Sequence, residues 1–341
     1  MRDTTIAISL IWFFLLLYAL AGSVDMGAGF WGLVYGRSKN TRASQIANRF
    51  LSPSWKVTNT FLVLLVVALI GFFPRGAFVL GTALLVPVSL VLILLTLRSV
   101  FMVFAYTSQE YTAPLLWVSG ITGLLIPGLL MTVLPVTLGG FIVMAENGPY
   151  LLLGKVFTSP VVYAHVAFGI ASELYLSALF LSDYAREAED EQTYRKYRQS
   201  AITLGPIALA MGVLAAYAML PEAEWMVFRM REYMIWFILS LAAFLGAYFF
   251  LWKRNGRGTR GVPRAAVVLT AVQYTLASIG YGAAHMPYLI YPHLTVEEAV
   301  TNPLMFRSLL IGYTISTLVL LPVFVWFWRL FLVDKRYIKP D

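Results

Sequence analysis

The 341-residue sequence has no cysteine, only three histidines, and charged residues at just 12%. Without a thiol it can build neither a disulfide framework nor a cysteine-ligated zinc, iron–sulfur or thiolate-haem site. The charge fraction is about half that of an average soluble domain, and 60% of residues are hydrophobic at a mean hydropathy of +0.76, which excludes a soluble globular protein. The motifs G-x-x-x-x-G-K-[ST] and H-E-x-x-H are absent as well, so phosphate-loop and zincin chemistry have no footing. The formal charge of +8 does not call for nucleic acid, because a polytopic membrane protein gathers Lys and Arg in its cytoplasmic loops.

What the chain does have is long apolar stretches between sparse charges. A helix needs about 20 apolar residues to cross a bilayer core. Nine spans follow: Ile6–Tyr35, Val57–Phe73, Gly76–Tyr106, Pro114–Ala145, Val161–Leu181, Ala201–Leu220, Glu232–Trp252, Ala265–His285 and Arg307–Leu330. The fourth carries Pro114, Pro127, Pro135 and Gly139-Gly140, which predict a kink or a re-entrant stretch. Alternate connections divide the Lys and Arg residues 18 to 6, with Arg98 inside the third span the last of the 25. The positive-inside rule then places the amino terminus outside and the carboxyl terminus in the cytoplasm.

The expected fold is an all-α integral membrane protein, a single transmembrane domain over 1–341. One internal echo suggests halves at about 1–150 and 151–290. Ser23–Arg37 (SVDMGAGFWGLVYGR) and Ser172–Arg186 (SELYLSALFLSDYAR) coincide at Ser, Tyr and Arg, as two pseudo-symmetric four-helix bundles would require. The helix at about 307–330 is then peripheral. The mixed-charge segment Asp183–Arg198 reads as a solvated helical extension. Trp31, Trp55, Trp225, Trp252, Trp326 and Trp328 fall near span ends and read as interfacial belts.

An ionisable residue inside a span costs about 2.5–3.5 kcal/mol on insertion scales, so each one asks for a reason. Asp25 and Arg98 lie at similar depth in spans running the same way, which permits either a proton-loading carboxylate with a guanidinium partner or a buried structural ion pair. Three glycines around Asp25 (Gly22, Gly27, Gly29) predict close helix approach there. Glu173 falls near the midplane of the fifth span, with His165 two turns outward on the same face. The pair reads either as part of a proton relay or as polar groups satisfied inside the bundle. His165 and His285 sit at similar depth on different helices and are the one cross-helix pair that could ligate a haem b. His293 falls in the outer loop and reads as solvated. No metal cluster is expected.

Gly22–Trp31 (GSVDMGAGFW), a basic loop, and Leu51–Leu62 (LSPSWKVTNTFL) together resemble subunit II of the cytochrome bd-type quinol oxidases. Arg98 falls where that family has an arginine closing its third helix, and Gly282–Tyr313 through Pro322 follows its last two helices, so the resemblance spans essentially the whole chain.

The resemblance implies a non-catalytic subunit of a respiratory terminal oxidase in a prokaryotic cell membrane. The partner, subunit I, carries haem b, haem d, the quinol site and the oxygen chemistry, and a small single-helix subunit and membrane lipid complete the set of partners. No cofactor is expected on this chain. The family implicates the aspartate matched by Asp25 in bringing cytoplasmic protons toward the haems. Lys56 departs from the family's acidic residue after the tryptophan, and Glu173 and His165 match no family site. The alternative, a secondary transporter, would place its acidic site at Glu173.

Overall fold

In the computed structural model the described residues are 2–36, 42–107, 112–253 and 261–332, and they are mostly helical. Outside them lie Arg37, Lys39, Arg254, Arg257, Arg260, Lys335, Arg336 and Lys339, together with the side chains of Arg2, Arg49, Trp55, Lys56, Trp328 and Arg329.

The chain opens with α1 (Arg2–Gly36) and α2 (Arg42–Phe72), which pack as a hairpin. Pro74 then forces a break: it lacks an N–H and disfavours helical geometry at the residue before it. The chain bends by 120° at Phe73 into α3 (Pro74–Ala83), with Phe72 and Phe73 buried at the corner. A second interruption at Leu84 leads into α4 (Leu85–Thr107). The expected third span is thus two helices, of which Leu85–Val103 is long and apolar enough to cross a membrane.

The expected fourth span is also shorter than its composition suggested. It forms α5 (Thr112–Met131) and α6 (Val133–Thr137), and then Gly139 and Gly140 adopt positive φ of 111° and 78°. Those left-handed conformations suit glycine alone without strain and end the helix. The remainder, expected to be membrane-embedded, is a small hairpin of β1 (Ile142–Ala145) and β2 (Gly148–Leu151), antiparallel with Ile142 opposite Leu151. A single turn, α7 (Leu153–Val156), follows.

Next comes α8 (Pro160–Glu187), started by Pro160 and by Ser159, whose side-chain oxygen accepts from the Val162 N–H. Its apolar window is 61% buried, against 6–33% for the other seven candidate spans, which makes α8 the central helix. It pairs with α9 (Glu191–Ala218), capped by Asp190. The segment Asp183–Arg198 is therefore not simply solvated: Asp183 binds Arg264 at 2.6 Å, and Tyr194 and Tyr197 are buried. The alternation of charge in the sequence hid this, because several of these charges pair across turns and helices, Arg186 and Arg195 with Glu191, and Asp183 and Glu187 with Arg264.

The chain continues through α10 (Glu224–Glu232), α11 (Met234–Trp252) and α12 (Pro263–His285), the last two packed as a hairpin. A second small hairpin, β3 (Tyr288–Ile290) with β4 (Leu294–Thr295), precedes α13 (Pro303–Leu332). Trp225 ties this end together: it stacks on Tyr291 at 4.3 Å and donates to the Leu138 carbonyl at 2.9 Å. Only 6% of the α13 window is buried, so this helix lies at the edge. Among the described residues, eight helices are long and apolar enough to cross a membrane, and nine if the bent α2–α3 pair is one span.

The core lies where α1, α8, α9, α11 and α12 meet, around Trp31, Tyr175, Tyr197 and Phe244. The two echoing segments meet there, since α1 packs directly on α8.

Candidate functional site

The glycine-rich turn of α1 does what its composition predicts. A Cβ on Gly27 would run into the Ser177 side chain of α8 and stand 3.2 Å from the Glu173 carbonyl oxygen. On Gly29 it would lie 2.7 Å from the Ser119 carbonyl of α5, and on Gly123 of α5 it would lie 2.5 Å from that of Met26. Both α5 and α8 therefore touch α1 backbone to backbone. Gly22 differs from these, with nothing closer than 3.7 Å.

This close crossing encloses the charges. Asp25 is 1% exposed and Arg98 2%. The guanidinium enters from α4 and donates from Nη1 to the Ser119 carbonyl at 3.1 Å and from Nη2 to the Asp25 carbonyl at 2.9 Å. The contact from Nη2 to the Asp25 carboxylate is longer, 3.5 Å. Arg98 is thus fixed chiefly by backbone oxygens of two helices, and its ion pair with Asp25 is the looser of its attachments. Its Nε has no hydrogen-bond partner among the described residues.

Glu173 joins the same site from α8. It is fully buried, and neither carboxylate oxygen finds a hydrogen-bond partner among the described residues. The charges acting on it are those of Arg98 and Asp25. Such a group is expensive to keep, since a buried polar atom without a partner forfeits about 1–3 kcal/mol of hydration, and more when charged. Below it, Ser177 donates to the Glu173 carbonyl at 2.7 Å and accepts from the Trp31 indole at 3.0 Å.

Trp31 corrects its sequence reading: it is 7% exposed and part of the core. Trp225 also turns inward, whereas Trp252 and Trp326 are exposed as an interfacial belt requires. Tyr18, two turns along α1 from Asp25, is buried within reach of both Asp25 and Arg98. Its spacing of seven residues, which returns a helix to the same face, was the available signal. Ser119 contributes only a backbone carbonyl, and no sequence signal could have found it.

The histidines stand apart from this site. His165 is buried eight residues from Glu173, about 12 Å along the helix at 1.5 Å per residue. Its Nδ1 donates to the Val161 carbonyl at 2.8 Å, away from Glu173, and no hydrogen bond joins the two. His285 donates from Nδ1 to Tyr288 at 3.0 Å and stacks on Tyr281 at 6.3 Å. Each histidine is thus tied through Nδ1 to a local carbonyl, and Nε2 of His285 is buried with no hydrogen-bond partner among the described residues. His293 is exposed. Among the described residues no group of three or more His, Cys, Asp or Glu could hold a metal ion.

Comparison with known proteins assigns this architecture. Residues 3–331 match the profile of the family described as cytochrome bd terminal oxidase subunit II. A Bacillus subtilis (strain 168) protein, provisionally named cytochrome bd menaquinol oxidase subunit II, is 45% identical over 341 residues, covering 99% of this chain and 98% of that one. The solved structure of bd oxidase from Geobacillus thermodenitrificans includes a chain that superposes with a TM-score of 0.83 at 32% identity, over 98% of this chain and all of that one. The chain belongs to the cytochrome bd terminal oxidase subunit II family, and is thus one subunit of an oxidoreductase complex.

Proposed function

We infer that this chain, in a prokaryotic cell membrane, scaffolds the haem-bearing subunit I and contributes to a proton path from the cytoplasm toward it. Asp25 is the main proton-carrying group, Arg98 its partner, Glu173 the neighbouring carboxyl and His165 a further station. In the complex, haem b and haem d belong to subunit I and supply electron transfer and oxygen reduction to water. At 45% identity to the Bacillus subtilis relative, menaquinol is the reductant we assign. Family membership displaces the transporter alternative. The nine-span topology, the outside amino terminus and the pseudo-symmetric halves, with α13 peripheral, belong to the same reading, and the direct packing of α1 on α8 supports it.

The observation that carries the proton role is a buried carboxylate whose guanidinium partner is anchored on backbone carbonyls, set beside a second carboxyl with no hydrogen-bond partner among the described residues. Arg98 remains anchored by carbonyls at 2.9 and 3.1 Å whatever the state of Asp25. Asp25 can therefore take up or release a proton without loosening the helix crossing. A purely structural pair would instead direct its shortest bonds at the carboxylate.

The test is Asp25→Asn in the assembled oxidase. We expect the complex to retain haem d and to consume oxygen at least about tenfold more slowly, equivalent to about 1.4 kcal/mol of barrier. Loss of haem d from purified complex would show that Asp25 is structural. Unchanged turnover with haem d retained would refute the proton role.

A further inference from the structure

We propose that the groove between the last turns of α1 and the first turns of α9 binds the phosphate headgroup of an anionic phospholipid, with Lys196 as its cation. The groove has a volume of about 390 Å³ and is lined by Trp31, Tyr35, Lys196, Gln199, Ser200 and Leu204, among others. The inference is independent of the proton role.

The first argument is charge. Among the described residues, Arg186 and Arg195 pair with Glu191, Arg264 with Asp183 and Glu187, and Arg198 with the Leu251 carbonyl at 2.6 Å. Lys196 has no carboxylate partner among the described residues. Its ammonium rests 5.9 Å from the centre of the Tyr35 ring, facing the groove. Tyr35 is itself fixed, stacked on Trp31 at 5.8 Å and 3.3 Å from the Ser200 hydroxyl. A cation without a carboxylate partner among the described residues, set on an aromatic wall beside the Gln199 amide and the Ser200 hydroxyl, recognises an anion with hydrogen-bond acceptors, as a phosphodiester is.

The second argument is the surface that leads away from the groove. The exposed face of α9 begins with Lys196, Gln199 and Thr203 and continues at helical spacing through Ile207 and Leu214. Those two apolar side chains are 44% and 46% exposed. One face thus passes from cationic and polar to apolar over about 27 Å, eighteen residues at 1.5 Å each. That sequence of chemistry matches a phospholipid lying along the helix, headgroup at Lys196 and acyl chain over Ile207 and Leu214. A free phosphate would need only the polar end.

The purified oxidase complex, titrated with phosphatidylglycerol or phosphatidylcholine and read by native mass spectrometry, tests the proposal. Phosphatidylglycerol is expected to bind about fivefold tighter, the worth of one lysine near an anionic headgroup, and Lys196→Gln to remove that preference. Ile207→Asn should weaken phosphatidylglycerol binding while leaving binding of inorganic phosphate unchanged. Both positions are exposed, and an unchanged thermal midpoint checks that the variants fold. Equal binding of the two lipids, or a preference that survives Lys196→Gln, overturns the proposal. Inorganic phosphate competing at equal concentration, with no effect of Ile207→Asn, makes a free anion the ligand and also overturns it.

Discussion

A single nitrogen of Arg98, Nη2, donates to Asp25 twice over: to its backbone carbonyl at 2.9 Å and to its carboxylate at 3.5 Å. The shorter bond goes to the part of Asp25 that no substitution can remove. The guanidinium is therefore a clasp for α1, α4 and α5 first and a counter-ion second.

Removing the clasp should be far more damaging than removing the carboxylate. Arg98→Gln leaves Asp25 buried without its cation and should destabilise the complex by about 3–5 kcal/mol, the usual penalty for breaking one side of a buried pair. Thermal unfolding of the detergent-solubilised complex measures this. The double variant Asp25→Asn, Arg98→Gln should recover part of the loss, because no unpaired charge remains. Arg98→Lys should not rescue, since a lysine cannot span two backbone carbonyls and a carboxylate with a planar fork.

Glu173→Gln separates the two carboxyls. The amide keeps the volume and packs in the same space, so haem content and assembly should stay at wild-type levels. If Glu173 shares the proton with Asp25, oxygen consumption should fall by about tenfold, equivalent to about 1.4 kcal/mol. Equal turnover in the variant would leave Asp25 to act without it. Substituting His165 by Gln should have a smaller effect, because its imidazole is bonded to Val161 and not to Glu173.

Gly27→Val should open the α1–α8 crossing. The added side chain meets Ser177 and the Glu173 carbonyl, where neither partner can retreat without moving α8. Overpacking of this kind costs about 1–3 kcal/mol. The thermal midpoint should drop, and oxygen consumption with it, since the same contact sets the separation of Glu173 from Asp25. Gly22→Ala, by contrast, has room and should leave both unchanged.

Outside the membrane helices, Glu298 gives a pH-dependent element. The Thr295 backbone N–H at 2.9 Å and hydroxyl at 2.7 Å hold its carboxyl below the ordinary 4.5. A depressed folded-state value means that the contribution is full above about 4.5 and is lost as pH falls through the folded-state value. Hydrogen exchange in residues 294–300 should therefore accelerate on acidification, and Glu298→Gln should remove that dependence while leaving neutral-pH exchange only modestly faster.

How much was legible in the sequence differs from element to element. The helices of α8, α9, α11 and α12 were legible because unbroken apolar length is a property of the chain itself. The corner at Phe73 and the hairpin at 142–151 were not, because apolar residues can equally well line a buried turn, and only the packing of Phe72 and Phe73 shows which occurs. Asp25, Arg98 and Glu173 stood out as charges in apolar runs, and the cost of burying them made them candidates from the sequence alone. Tyr18, Ser119 and Ser177 did not stand out, since Tyr and Ser are unremarkable in a membrane helix.

By itself the sequence determined that the chain is helical and membrane-embedded, where its few intramembrane charges lie, and where α1 lacks side-chain bulk. Hydrophobic length and glycine content are local quantities, and they carry these conclusions without reference to the rest of the fold. Only the tertiary structure decided that Gly27 rests on Ser177, that Arg98 is held by the carbonyls of two helices, and that Trp31 faces inward. Those facts depend on which faces of distant helices meet, and a helix hydrophobic on every side does not announce which face its neighbour will cover.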